Sequence, residues 1–141
     1  MLAMIAFIIK LIIGGAASYI IPSVSKKNIS EKEHLKILCV GIFSTSLFSI
    51  TYAIDSQAPY IFSASALVFI GFLSFRLSES MKLDEKILLF GCVLIGLNIG
   101  FGYILQGIIL SFLVYYIISN RADLFTLLYD NKDDSIEEDI N

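Results

Sequence analysis

The chain has 141 residues, 57% of them hydrophobic, with a mean hydropathy of +0.81 and only 16% charged. That composition excludes an ordinary soluble domain, in which about half the residues are apolar and about a quarter charged. The net charge of −3 hides a segregation: up to Arg121 there are nine Lys/Arg against six Asp/Glu (+3), and from Ala122 on there is one Lys against seven Asp/Glu (−6). The low pI therefore belongs to the tail. No nucleic-acid partner is expected.

The first apolar segment, Leu2–Ile21, has the length of one bilayer crossing and ends at Pro22. It lacks a basic leader and is longer than the core of a signal peptide, so it reads as a retained span. Gly14, Gly15, Ala16, Ala17 and Ser18 make its second half small enough for close helix contact. Lys10 sits near its middle. A charge at that depth costs about 2.5–3.5 kcal/mol, so it either faces the bundle interior, with Asp55 or Asn98 as partner, or snorkels outward.

The next segment is Leu35–Ile54, with small and hydroxyl-bearing Gly41, Ser44, Thr45, Ser46 and Ser49. Ser30 and Glu33 have capping-box spacing, which would start its helix before the apolar run. His34, in the charged connection, is expected to be solvated. The third segment is Pro59–Leu77, after a short link in which Asp55 or Ser56 can cap. Gly71 lies within it as a packing or hinge position, and Arg76 ends it.

The stretch Ile87–Ser119 holds 33 residues without a charge. One helix of that length would reach about 50 Å, well past a hydrocarbon core of about 30 Å. Its break is expected at Asn98-Ile99-Gly100-Phe101-Gly102. This divides it into a helix over Glu85–Ile99, capped by Asp84, and another over Phe101–Ser119. Cys92, Gly96 and Gly100 are spaced four apart, as are Gly107 and Ser111, giving small-residue ridges. Asn98 and Gln106 flank the break, to bond helix to helix or to line a polar site. Gly100 and Gly102 are packing or hinge positions.

Five spans with the N-terminus outside put every Lys and Arg of the connections on the inner side, together with the tail. The outer links 55–58 and 98–102 carry none. The expected fold is an all-α integral membrane bundle of about five helices over residues 1–121, the last two short and joined by a tight Gly/Asn hairpin. Residues 122–141 form an acidic cytoplasmic tail without a packed core, opening on amphipathic Asp123–Tyr129. Cys39 and Cys92 read as small apolar residues. No catalytic triad, metal-ligand cluster or phosphate loop is present, so no enzyme activity, metal or cofactor is expected.

Ile95-Gly96-Leu97-Asn98-Ile99-Gly100-Phe101-Gly102-Tyr103-Ile104-Leu105 resembles the end of the membrane domain in the MgtC/SapB family, where an IGL-xx-G-x-G stretch joins two short helices. Phe69-Ile70-Gly71-Phe72-Leu73 resembles that family's GIGFLGAG motif. His34-Leu35-Lys36-Ile37 stands where the family has a GLRT-like start, and Lys10–Tyr19 resembles its first helix. The likeness is collinear over residues 5–119. Departures fall at Ile20-Ile21-Pro22, Ser74-Phe75-Arg76 and Leu83-Asp84-Glu85-Lys86.

The resemblance implies a small, non-enzymatic inner-membrane protein tied to magnesium limitation, one that regulates a larger complex such as the ATP synthase. Two other classes fit the residues: a small ion or solute transporter, and a structural subunit that self-associates. Expected partners are membrane lipid and another membrane complex or a second copy.

Overall fold

Long apolar runs separated by short polar links favour helices, whose backbone hydrogen bonds close within each segment. The computed structural model describes residues 2–24, 29–55 and 61–120. Among them there are five helices and no strand: α1 (Leu2–Val24), α2 (Glu31–Asp55), α3 (Ile61–Ser78), α4 (Leu83–Gly100) and α5 (Ile104–Ser119). The amphipathic piece and acidic tail expected after Arg121 lie outside the described residues, as does the Ser56–Ala58 link.

Helix ends differ from expectation at three points. α1 does not stop at Pro22 but runs through it to Val24. Only two residues of the helix lie beyond this proline, so few backbone bonds are disturbed. Ser23 Oγ donates to Tyr19 O at 2.7 Å, supplying a carbonyl beside the break. Asp84 is not the cap of α4; Lys82 takes that place, and its N–H donates to the Glu85 carboxylate at 2.8 Å. The break in the long apolar stretch falls at Phe101–Tyr103, so Asn98 belongs to the last turn of α4. α2 does begin before its apolar run, and Glu33 N donates to Ser30 Oγ at 3.3 Å.

α4 is the axis of the packing. Leu88, Leu89, Cys92, Ile95 and Ile99 on it are fully buried. α2 lies along it with the two backbones nearly touching. A Cβ on Gly96 would meet the Gly41 carbonyl at 3.0 Å, and one on Gly100 would meet the Thr45 carbonyl at 3.0 Å. Ser44 Oγ bridges the pair by donating to Val93 O at 3.0 Å.

The outer helices close on this pair. α1 packs on α2 where Gly14 admits Thr45 and Gly41 admits Ser18. α5 returns along α4, with Gly91 against Val114 and Gly107 against Ile99. α3 lies at the edge, turning Ser63, Ala66, Ile70, Ser74 and Ser78 inward.

The surface is as apolar as the core. Leu2, Val68, Phe72, Leu105 and Phe112 are each at least 65% exposed, an arrangement that a water-facing monomer rarely tolerates over contiguous area. Three helices, spanning Leu2–Val24, Glu31–Ile54 and Ile61–Ser78, are long and apolar enough to cross a membrane. α5 is shorter, and α4 opens on Asp84, Glu85 and Lys86.

His34 is not solvated. It is half-buried with its ring against Tyr19, centroids 5.2 Å apart, because α2 starts early enough to bring it against α1. Cys92 is buried, whereas Cys39 is exposed on the outer side of α2.

Candidate functional site

Of the polar residues singled out by sequence, Lys10 and Ser49 meet where α1, α2 and the end of α4 come together. Lys10 is half-buried and donates to the carbonyl of Gly100 at 2.9 Å. Ser49 Oγ, on α2, donates to the same carbonyl at 3.3 Å. The Lys10 ammonium also stands 5.8 Å from the centre of the Tyr52 ring. Phe101, first residue of the turn, packs its ring against Phe48 and Tyr52, with centroids 5.5 and 5.7 Å away.

Lys10 is thus held by a main-chain oxygen rather than by Asn98. The Asn98 amide instead bonds within its own helix, to Leu94 O at 2.9 Å. The reason is the end of α4. The N–H groups of Phe101, Tyr103 and Gly102 satisfy the carbonyls of Leu97, Asn98 and Ile99, which leaves that of Gly100 for side chains, and the aligned peptide dipoles leave about half a negative charge there. α2 passes the same spot at Ser49 and Tyr52, three to six residues before its end at Asp55. The side chain of Asp55 lies outside the described residues.

The turn needs its glycines for two different reasons. Gly102 has φ +92°, a backbone conformation in which a Cβ is strained, and its N–H donates to Ile99 O at 3.0 Å. Gly100 has no room for a Cβ, which would stand 2.7 Å from that of Phe48. Gly96 is a packing position of the same kind. Gly71, expected to pack or hinge, faces open space, with nothing within 4 Å of a Cβ placed there. Gln106 is exposed in the first turn of α5 and joins neither Lys10 nor Asn98 in a hydrogen bond among the described residues.

Two cavities adjoin this framework. A recess of about 440 Å³ lies between the first half of α1 and the end of α2, with Lys10 and Ser49 at its polar end and Ala3, Ala6, Phe7 and Ile54 among its walls. A groove of about 540 Å³ runs between α1 and α5, lined by Ile12, Ala16, Ile20, Ile108 and Phe112, with Ala17 and Ser111. Ser111 turns its hydroxyl back to Gly107 O at 2.8 Å, leaving the groove apolar.

Tyr52 is the member of the site that sequence reading missed. It lies three residues after Ser49 on the hydroxyl-bearing face of α2, a spacing that shares a helix face and was available as a signal. Among the described residues, no group of three or more His, Cys, Asp or Glu could hold a metal ion. Comparison of the chain with protein-family models, with curated proteins and with solved structures finds no match.

Proposed function

We propose that the chain is a small, non-enzymatic membrane protein that acts by docking against another membrane protein. The observation that carries this reading is the α1–α5 groove. Gly14, Gly41, Gly91, Gly96, Gly100 and Gly107 are all consumed by contacts within the bundle. Ala16, Ala17 and Ser111 remain as a small-residue surface along an open groove. Small residues let a further helix approach closely where lipid tails offer no hydrophobic driving force of their own.

In this reading all five helices cross the bilayer, α4 and α5 as a short hairpin, with the N-terminus outside and the tail inside. Charge supports it, because the loops at 22–36 and 76–86 hold Lys26, Lys27, Lys32, Lys36, Arg76, Lys82 and Lys86. The likeness to MgtC/SapB proteins supplies a physiological setting: regulation of a larger complex, the ATP synthase among them, under magnesium limitation. Transport is the weaker reading, since Lys10 is engaged with a helix end and opposes a cation path.

The test is a mild-detergent pull-down of the tagged protein from its own membranes, compared with Ala16→Trp, Ser111→Trp and a control, Val68→Trp, on the far face of α3. Recovery of a larger membrane complex by the wild type and the control, lost in the two groove variants, is the expected result. Recovery of one defined homo-oligomer in all four would instead assign the chain a structural, self-associating role. Labelling Ser56→Cys and Asn131→Cys from outside intact cells checks topology. Outside labelling of position 131 would overturn the five-span arrangement.

A further inference from the structure

We propose that residues 124–129, just past the end of α5, fold back over the inner mouth of the α1–α5 groove and cap it. The proposal rests on the docking reading above and adds a means of regulating the same groove. The first argument is level. α1 and α5 both run opposite to α4: Lys10 lies at Gly100 and Ser18 beside Cys92, while Gly107 lies at Ile99 and Val114 at Gly91. The two helices therefore run the same way, with Ser18 and Val114 at one height along α4. Six residues further on each, Val24 and Asn120 are level as well. Val24 is the last residue of α1 and lines the end of the groove. Asn120 is where the chain leaves α5.

The second argument is what the mouth requires. α1 has 23 residues and rises about 33 Å, a little more than a hydrocarbon core about 30 Å thick. Its last turn therefore stands at the inner head groups, and Lys26 and Lys27, two and three residues beyond Val24, agree with that depth. Val24 and Ile20 are each 53% exposed. Deep in hydrocarbon an open apolar groove has no hydrophobic drive to close. At the head groups water is present, and covering the same surface is stabilising.

The third argument names the occupant. Leu124-Phe125-Thr126-Leu127-Leu128-Tyr129 begins four positions after Asn120. Four residues span up to about 14 Å, more than the roughly 8–10 Å between packed helix axes, so the segment reaches α1 easily. At helical spacing Asp123, Thr126 and Asp130 share one stripe, and the apolar residues fill more than half of the circumference. A lipid surface covers one side of such a segment, and the groove mouth covers a second. Charge points the same way. The link after Val24 carries Lys26 and Lys27, and the segment is flanked by Asp123 and Asp130. The start of α4, at the same end, mixes Asp84 and Glu85 with Lys82 and Lys86 and offers no net attraction. Seated at the mouth, the segment stands in the path of any helix laid the length of the groove, and a docking partner has to displace it.

The experiment uses the full chain carrying Cys39→Ala, one copy per nanodisc, with paired cysteines oxidised by copper phenanthroline. Val24→Cys is paired in turn with Phe125→Cys and with Leu128→Cys. The faster of these pairs is expected to close its intramolecular disulfide about tenfold sooner than Ser80→Cys with Leu128→Cys, because a seated segment has the higher effective concentration. Ser80 is exposed at the same end of the bundle, just past α3. Equal rates describe a segment without a seat, or one lying on lipid, and overturn the proposal. So does the absence of a disulfide to Val24→Cys from either position. Labelling gives an independent reading. Val24→Cys is expected to react several-fold faster with a charged, water-soluble maleimide once Phe125→Ser and Leu128→Ser are added, and an unchanged rate overturns the proposal. The disc holds no partner protein, so these outcomes stand apart from the docking reading. That reading fails alone if the pull-down recovers nothing while the disulfide still forms.

Discussion

Lys10 donates to the carbonyl of Gly100 across 90 positions of chain, at 2.9 Å, and so ties the middle of α1 to the last turn of α4. In the membrane reading proposed above, an insertion cost of about 2.5–3.5 kcal/mol for the charge is offset by a charge-assisted hydrogen bond of about 1.5–3 kcal/mol at a helix end that favours cations.

The α2–α4 contact should be the least tolerant of added volume. Gly96→Ala and Gly100→Ala each drive a methyl into a backbone carbonyl at 3.0 Å and into side chains nearer still. Each is expected to cost about 1–3 kcal/mol as overpacking. Gly71→Ala meets nothing and should stay within about 0.5 kcal/mol of wild type. Thermal unfolding in detergent distinguishes them, and equal losses at all three positions would show that α2 and α4 are not this close.

Gly102 fails by a different route. Its nearest described neighbour to an added Cβ is Lys10 Nζ at 3.8 Å, so space is adequate and φ +92° is the obstacle. Gly102→Ala is expected to lose about 1–2 kcal/mol, and Gly102→Asn less, because asparagine tolerates positive φ better. If alanine and asparagine behave identically at this position, backbone strain is not the cause.

Ser44, like Ser49, bonds to another helix rather than to its own. Ser44→Ala removes the bond to Val93 O and should cost about 0.6–1 kcal/mol, in the range measured for hydrogen bonds between membrane helices. Ser44→Val adds bulk against Gly96 and should cost more. Ser65→Ala, whose hydroxyl bonds only to Ile61 O on the exposed face of α3, serves as the neutral comparison.

The two thiols report on the packing directly. Cys39 is exposed and Cys92 is fully buried between α4 and α2. In detergent, a small lipid-soluble maleimide should modify Cys39 in the folded protein and Cys92 only after unfolding. Equal rates at both positions in the folded protein would contradict the placement of α4 at the centre.

The five helices were legible because apolar runs of crossing length alternate with charged or turn-forming links. The Cys92-Gly96-Gly100 spacing announced a ridge, and Ser30 with Glu33 announced an early start for α2. What covers the ridge was not legible, since Gly41, Ser44 and Thr45 are no more distinctive than the small residues of α1. The bond from Lys10 to Gly100 was hidden for a simpler reason. Its acceptor is a main-chain oxygen, and every residue has one, so a search among side chains could not find it. Gly71 misled in the opposite sense: its resemblance to a packing glycine carries no information about whether a neighbour is present. Pro22 and His34 were misjudged because both depended on how far α1 and α2 extend past their apolar cores.

The pairing of α2 with α4 also sets an order of assembly. α3 separates the two in the chain yet sits at the edge of the bundle, so α2 leaves the ribosome long before the helix that covers its Gly41–Ser49 face. Until α4 arrives, Ser44 and Ser49 lack the carbonyls of Val93 and Gly100. A nascent chain halted after Ser78 therefore leaves this face of α2 open, with Gly41 and both hydroxyls still waiting for their cover.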